Sequence, residues 1–109
     1  MSFEVHKEVY DFVRTIPAGK VMNYGAVGRF IGLTGRQVGS IMGMMDETAG
    51  KDFPWWRVLG HDGSFSIAKK DPILEKEQRD RLVSEGVPLR ENGKVNMPLA
   101  MWDGELLGD

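Results

Sequence analysis

Between Asn23 and Met45 the chain carries two helix-start signals with a helix stop between them, and no other stretch limits the fold as tightly. Asn23 is placed to cap a helix running to about Ile31, and Gly32 ends it. Two residues on, Thr34-Gly35-Arg36-Gln37 has the capping-box form, a threonine followed three positions later by glutamine. It opens another helix that runs to about Met45. Two short helices joined by a tight turn containing glycine make a helix-turn-helix candidate.

The elements around this pair follow from period and punctuation. Val9, Phe12, Val13 and Ile16 fall at i, i+3, i+4 and i+7, which predicts an amphipathic helix from about Ser2 to Thr15. Ile16-Pro17-Ala18-Gly19 closes it, and Lys20 to Met22 reads as a short extended piece. Residues 46–53 read as a polar loop. Arg57-Val58-Leu59 and Ser64-Phe65-Ser66 flank Gly-His-Asp-Gly, and Asp62-Gly63 is a turn signal, so a small β-hairpin is expected there. Asp71-Pro72 starts a further helix, which carries Ile73, Leu74, Leu82 and Val83 and ends near Gly86. Residues 86–109 read as a loop, a short strand from Lys94 to Met97 and a tail that Trp102 packs down. The expected fold is mostly α with a small β-hairpin, in one domain spanning residues 1–109.

Composition narrows the chemistry. The chain has 109 residues and no cysteine, which excludes disulfides, thiolate zinc sites and a cysteine nucleophile. His6 and His61 are the only imidazoles, so no metal or other cofactor is expected. No apolar run nears the roughly 20 residues that cross a bilayer, and no signal-peptide pattern is present. The expectation is a cytoplasmic monomer with no membrane partner. Net charge is -2, but it is unevenly spread. Residues 1–70 carry nine Lys/Arg against seven Asp/Glu, and residues 71–109 carry five against nine. Between Asp11 and Asp46 stand Arg14, Lys20, Arg29 and Arg36 with no acid among them. This stretch is either an ordinary solvated surface or a localised phosphate-binding face.

Two local features stand out. Gly35, Gly39 and Gly43 recur every four residues in the helix that follows Thr34, each costing about 1 kcal/mol against alanine. Close helix packing is one reason for them. Close approach to a nucleic-acid backbone, even in a minor groove about 6 Å wide, is another. Val38, Ile41, Met42 and Met45 form the opposite, core-facing stripe. Arg36 sits in the first turn, against the helix dipole, which favours a task elsewhere. The second feature is Pro54-Trp55-Trp56-Arg57. Neighbouring residues of an extended segment point to opposite sides, so at least one indole is expected at a cleft, interface or surface. An indole wall can be core, or it can stack a nucleobase, worth about 1–3 kcal/mol.

Taken in order, Val21-x-x-Tyr24, Arg36-x-Val38-Gly39, Pro54-x-x-Arg57-Val58, Gly63 and Ser84-Glu85-Gly86 resemble the DNA-binding domain of the O6-alkylguanine-DNA alkyltransferases. The resemblance spans roughly residues 3–88. Those enzymes have Pro-Cys-His-Arg-Val where this chain has Pro54-Trp55-Trp56-Arg57-Val58, and their cysteine accepts the alkyl group. Tryptophan at the cysteine position marks the alkyltransferase-like proteins, their noncatalytic relatives. The fold implied is a winged-helix-like helix-turn-helix domain, as in the C-terminal domain of DNA alkyltransferases.

The resemblance also implies roles. Tyr24 matches the tyrosine that rotates the phosphate 3′ of the damaged nucleotide. Arg36 matches the arginine finger that fills the space left by a flipped guanine. Trp55, Val58 and the loop at Ala68 would enclose the flipped base. Thr34, Gly35, Arg36, Gln37, Gly39 and Ser40 would face DNA, with Lys69 and Lys70 near the phosphates. Glu85 matches the glutamate of a cysteine–histidine–glutamate network that has lost its other members here. It is then a solvent carboxylate, a structural acceptor or a functional group. Trp56 stands where many relatives have histidine, Ala68 where some have arginine, and the loop at 46–53 is longer and more acidic. The implied function is a noncatalytic sensor of O6-alkylguanine in double-stranded DNA that hands lesions to nucleotide excision repair proteins. A helix-turn-helix transcriptional regulator and a methyltransferase relative with residual activity are the alternatives, and a non-DNA interaction module is a fourth.

Overall fold

The computed structural model describes residues 3–45, 49–50, 52–68 and 71–105. In chain order it contains α1 (Phe3–Val13), β1 (Met22–Asn23), α2 (Tyr24–Ile31), α3 (Gly35–Met44), a 3-10 turn at Trp55–Arg57, β2 (Val58–Leu59), a 3-10 turn at Ser66–Ala68, α4 (Pro72–Ser84) and α5 (Met97–Ala100). Among the described residues no helix is long and apolar enough to cross a membrane.

The capping signals act as written. The Asn23 side chain accepts from the Ala26 amide at 2.8 Å, and Gly32 closes α2 in the left-handed region at φ 78°. The Thr34 hydroxyl accepts from the Gln37 amide at 3.1 Å, while the Gln37 side chain accepts from the Thr34 amide at 2.8 Å. The turn between the helices leaves no room for side chains. A Cβ on Gly28 would lie 2.3 Å from the Leu33 carbonyl oxygen, and one on Gly35 would lie 3.0 Å from the Gly25 nitrogen. Glycine therefore lets α2 and α3 meet backbone to backbone.

The strand pairing departs from expectation. β2 does not fold back on residues 64–66; it runs parallel to β1, with Met22 opposite Val58 and Asn23 opposite Leu59. A tight turn does form, with the Gly60 amide donating to the Ser64 carbonyl at 2.9 Å, but the chain then enters the 3-10 turn at Ser66–Ala68. The reason lies in burial. Val58 and Leu59 are both fully buried, so β2 has two apolar faces, as strands of a parallel pair do. The exposed Ser66 and half-buried Ser64 and Phe65 offer no matching surface.

These two faces divide the core. Val58 and Met22 join a cluster with Tyr10, Val27, Ile41 and Phe53 from the α1–α3 side. Leu59 and Val21 join a second cluster with Leu82, Val87, Val95 and Ala100. The C-terminal segment flanks β1: the Val21 amide donates to Ala100 at 3.0 Å and the Trp102 amide donates to Val21 at 2.8 Å. Trp102 is buried and tilts against Phe12, which pins the tail as expected.

Two further expectations are corrected. The strand anticipated at Lys94–Met97 is a single bridge between Val95 and Leu89, because Met97 and Pro98 start α5. In α4, Leu82 of the four anticipated apolar residues is fully buried, but Ile73 and Val83 are 80% and 54% exposed, and the polar Gln78 is buried with Leu82. Gln78 replaces apolar packing with hydrogen bonds, its amide donating to the carbonyls of Trp56 and Val58 at 3.2 Å each.

Candidate nucleic-acid interface

The α2–α3 pair presents a short list of available groups. The Thr34 hydroxyl and the Gln37 side-chain oxygen are engaged in the capping box, which leaves the Gln37 NH2 group to donate. Gly35 is turned against α2, so its missing side chain serves helix packing rather than an outer face. Gly39 lies beneath the Tyr24 ring, where a Cβ would sit 3.7 Å from a ring carbon. Ser40 and Arg36 are exposed. Arg36 makes no hydrogen bond or ion pair among the described residues, so its guanidinium keeps all its donors.

Other bases of the acid-free stretch separate into two kinds. Arg14 is tied to Asp11 at 2.9 Å, to the Ala49 carbonyl and to the Phe53 ring face. Lys20 and Arg29 are exposed, with no side-chain partner among the described residues. Tyr24 is half-buried, and burial pushes its hydroxyl up to about 12. It therefore remains a neutral O–H donor across the physiological range, suited to a phosphate oxygen.

The two tryptophans are presented by a 3-10 turn, not by the extended segment expected. The Arg57 amide donates to the Pro54 carbonyl at 3.1 Å, and the Val58 amide donates to Trp55. With about three residues per turn, neighbours still diverge. The rings stand nearly perpendicular, at 85° with centroids 6.2 Å apart. Trp55 packs against the first core cluster and Trp56 against the second, and both remain partly exposed. Trp55 and Tyr24 thus lean on the same cluster.

Val58 is placed differently from the expectation of a wall around a base. Its side chain is fully buried in that cluster, so it backs the surface that Trp55 covers. Ala68 ends the second 3-10 turn; its side chain lies outside the described residues, as do Lys69 and Lys70.

Glu85 is the structural acceptor among its three anticipated readings. It accepts from the Trp56 indole N–H at 2.8 Å, from Arg57 at 2.7 and 3.1 Å, and from the Gly19 amide at 3.2 Å. Burial alone would raise its carboxyl, but the donors from Arg57, Trp56 and Gly19 outweigh it and hold the group below its ordinary value. Arg57 also donates to the Ile16 carbonyl at 2.9 Å, and Arg57 and Arg81 approach the Trp56 ring at 5.4 and 4.5 Å. The structural weight of Arg57 and Gln78 had no local signal, since their partners lie some twenty or more positions away.

Residues 4–87 match the family described as 6-O-methylguanine DNA methyltransferase, DNA binding domain. Over 106 residues the chain is 38% identical to Alkyltransferase-like protein 1 of Schizosaccharomyces pombe, spanning 91% of this chain and 94% of that protein. The chain belongs to the alkyltransferase-like family. Another relative of this alkyltransferase-like protein is the DNA base-flipping protein of Vibrio parahaemolyticus, 32% identical over 97 residues, covering 87% of this chain and 92% of that one. The fold is similar to that of Schizosaccharomyces pombe Atl1, whose crystal structure is a complex with damaged DNA containing O6-carboxymethylguanine. The TM-score is 0.72 at 36% identity, over 94% of this chain and 98% of that one. The mostly helical fold of this alkyltransferase-like protein, with its small parallel sheet, is therefore that of the alkyltransferase DNA-binding domain.

Proposed function

We propose that this chain is a noncatalytic sensor of O6-alkylguanine in double-stranded DNA. The observation that carries the reading is the shared seat of Tyr24 and Trp55: two half-exposed aromatics on one apolar cluster, with Tyr24 over Gly39 of the helix that holds Arg36, which has no partner among the described residues. The relatives support it through what their names and structures say of them.

In this reading α3 approaches the minor groove and Tyr24 donates to a phosphate beside the lesion. Arg36 enters the stack in place of the everted guanine and hydrogen-bonds the orphaned cytosine. That offsets part of the few kcal/mol that unpairing costs. Alkylation at O6 removes the N1 proton, weakens pairing with cytosine and adds apolar surface. The damaged base is easier to extrude and better matched to the Trp55 indole. No transfer follows, because transfer needs a thiolate and the chain has no cysteine. The lesion is held and passed to nucleotide excision repair proteins.

The regulator alternative calls for amide or guanidinium groups reading major-groove edges. Near the start of α3 only the Arg36 guanidinium and the NH2 group of Gln37, whose oxygen is held in the capping box, are placed to do this, a thin set for reading several base edges. Incubation with duplex carrying labelled O6-methylguanine tests the noncatalytic claim. Retained label on the DNA, with lesion-dependent protection in a footprint, is the expected result. Label on the protein would refute it, and protection that follows base sequence instead of the lesion would favour the regulator.

A further inference from the structure

We infer a second phosphate-binding site, built without any residue of α3, in the concavity between the turn at residues 60–64 and the turn at residues 90–94. The concavity encloses about 420 Å3 and is lined by His61, Asp62, Arg90, Asn92, Lys94 and Met97. Its two walls are fixed to each other. The Val95 amide donates to the Gly63 carbonyl at 3.0 Å. Gly63 sits at φ 87°, and a Cβ there would come within 2.3 Å of the Val95 carbonyl oxygen. Lys94 pairs with Asp62 at 2.6 Å across the gap. The second turn is closed by the Arg90 amide donating to Lys94 at 2.7 Å.

The charge inside is unbalanced. Asp62 is engaged by Lys94 and by the Ser64 amide, and these contacts hold its carboxyl well below the usual carboxylate range. Arg90 and His61 are exposed and have no side-chain partner among the described residues. The Asn92 side-chain oxygen accepts from the Lys94 amide at 2.9 Å, which leaves its NH2 group to donate. A guanidinium, an imidazole N–H and an amide NH2 around one hollow suit an oxyanion, and a phosphodiester above others.

Proximity to the proposed interface supplies the occupant; the inference rests on that reading only in requiring that the chain bind DNA. His61 lies six positions beyond Trp55, so the two are within about 20 Å of each other. Each strand carries one phosphate per about 3.4 Å of helix axis, so that reach covers at most roughly six nucleotide steps from the lesion. We assign the site to a backbone phosphate outside the α3 footprint. It contributes affinity without base preference.

The full chain is titrated across a salt series against an O6-methylguanine duplex and its undamaged twin. Arg90→Ala is expected to shallow the slope of log affinity against log salt by about one on both duplexes, and Arg90→Lys to retain it. Asp62→Asn, which unties Lys94, is expected to steepen the slope. A slope for Arg90→Ala equal to that of the unsubstituted chain overturns the site. The two readings fail separately. Equal affinity for both duplexes removes lesion sensing and leaves the phosphate site standing, whereas intact lesion preference with an unchanged slope does the opposite.

Discussion

Trp56 and Glu85 lie 29 positions apart and share one hydrogen bond of 2.8 Å. That contact gives the second tryptophan of the Pro54–Arg57 motif a structural task. The indole N–H does for the carboxylate what an imidazole N–H would do, and Arg57 completes the shell. Because the folded carboxyl titrates below its ordinary value of 4.5, its stabilisation is present above that pH. It is lost as pH falls through the lowered folded value. Glu85→Gln should therefore cost about 2 kcal/mol near neutrality. It should also flatten, without abolishing, the decline in urea midpoint at acid pH. Asp11, held down chiefly by its hydrogen bond from Lys7, keeps some of that decline in the variant. An acid limb unchanged by the substitution would contradict this. At the proposed interface, Arg36→Ala should weaken binding to the lesion duplex by about tenfold or more, the equivalent of at least 1.4 kcal/mol. Its affinity for undamaged duplex should change far less, which fluorescence anisotropy would measure. Tyr24, Arg36 and Trp55 could be proposed from the sequence because the motifs that single them out are local. The acceptor for Trp56 was legible only through the resemblance that singled out Glu85, because nothing near Pro54 announces it.

At the scale of elements, sequence punctuation worked where partners lie within four residues and failed where they do not. Both caps of the helix pair were readable, and α2 and α3 start and stop where Asn23, Gly32 and Thr34 require. The Asp62-Gly63 turn was also real, but its purpose was hidden. It docks on Val95 instead of reversing β2 into a hairpin. A two-residue strand with both faces buried has no alternation from which a partner could be inferred. The open question about the α3 glycines also resolves here, at least for Gly35. Gly35→Ala places a methyl group 3.0 Å from the Gly25 nitrogen, so the backbone of α2 must give by a few tenths of an ångström. The expected cost is about 1–3 kcal/mol of stability, read by thermal or urea unfolding. A stability equal to that of the unsubstituted chain would mean that the turn relaxes freely.

Across the whole molecule, the β1–β2 ribbon separates two apolar clusters and mounts one tryptophan on each side. The first cluster carries the aromatic surface proposed to meet a base. The second carries the Glu85 side, which steadies Trp56 and Arg57. Family and fold class were legible because four short motifs, with Gly63 among them, stand in order along the chain. Partition of the core was not, since it depends on pairing residues 22–23 with 58–59. The acidic average likewise concealed exposed cations, because charge counts do not say which bases are already paired. The central claim is that Trp55 makes a holding surface where a thiolate would react. It is tested most directly by following tryptophan fluorescence while the chain and its Trp55→Ala variant are titrated with an O6-methylguanine duplex and the matching undamaged duplex. The account predicts tighter, reversible binding of the damaged duplex, with the preference reduced in the variant. Equal affinity of the unsubstituted chain for the two duplexes, or an undiminished preference in Trp55→Ala, would contradict it.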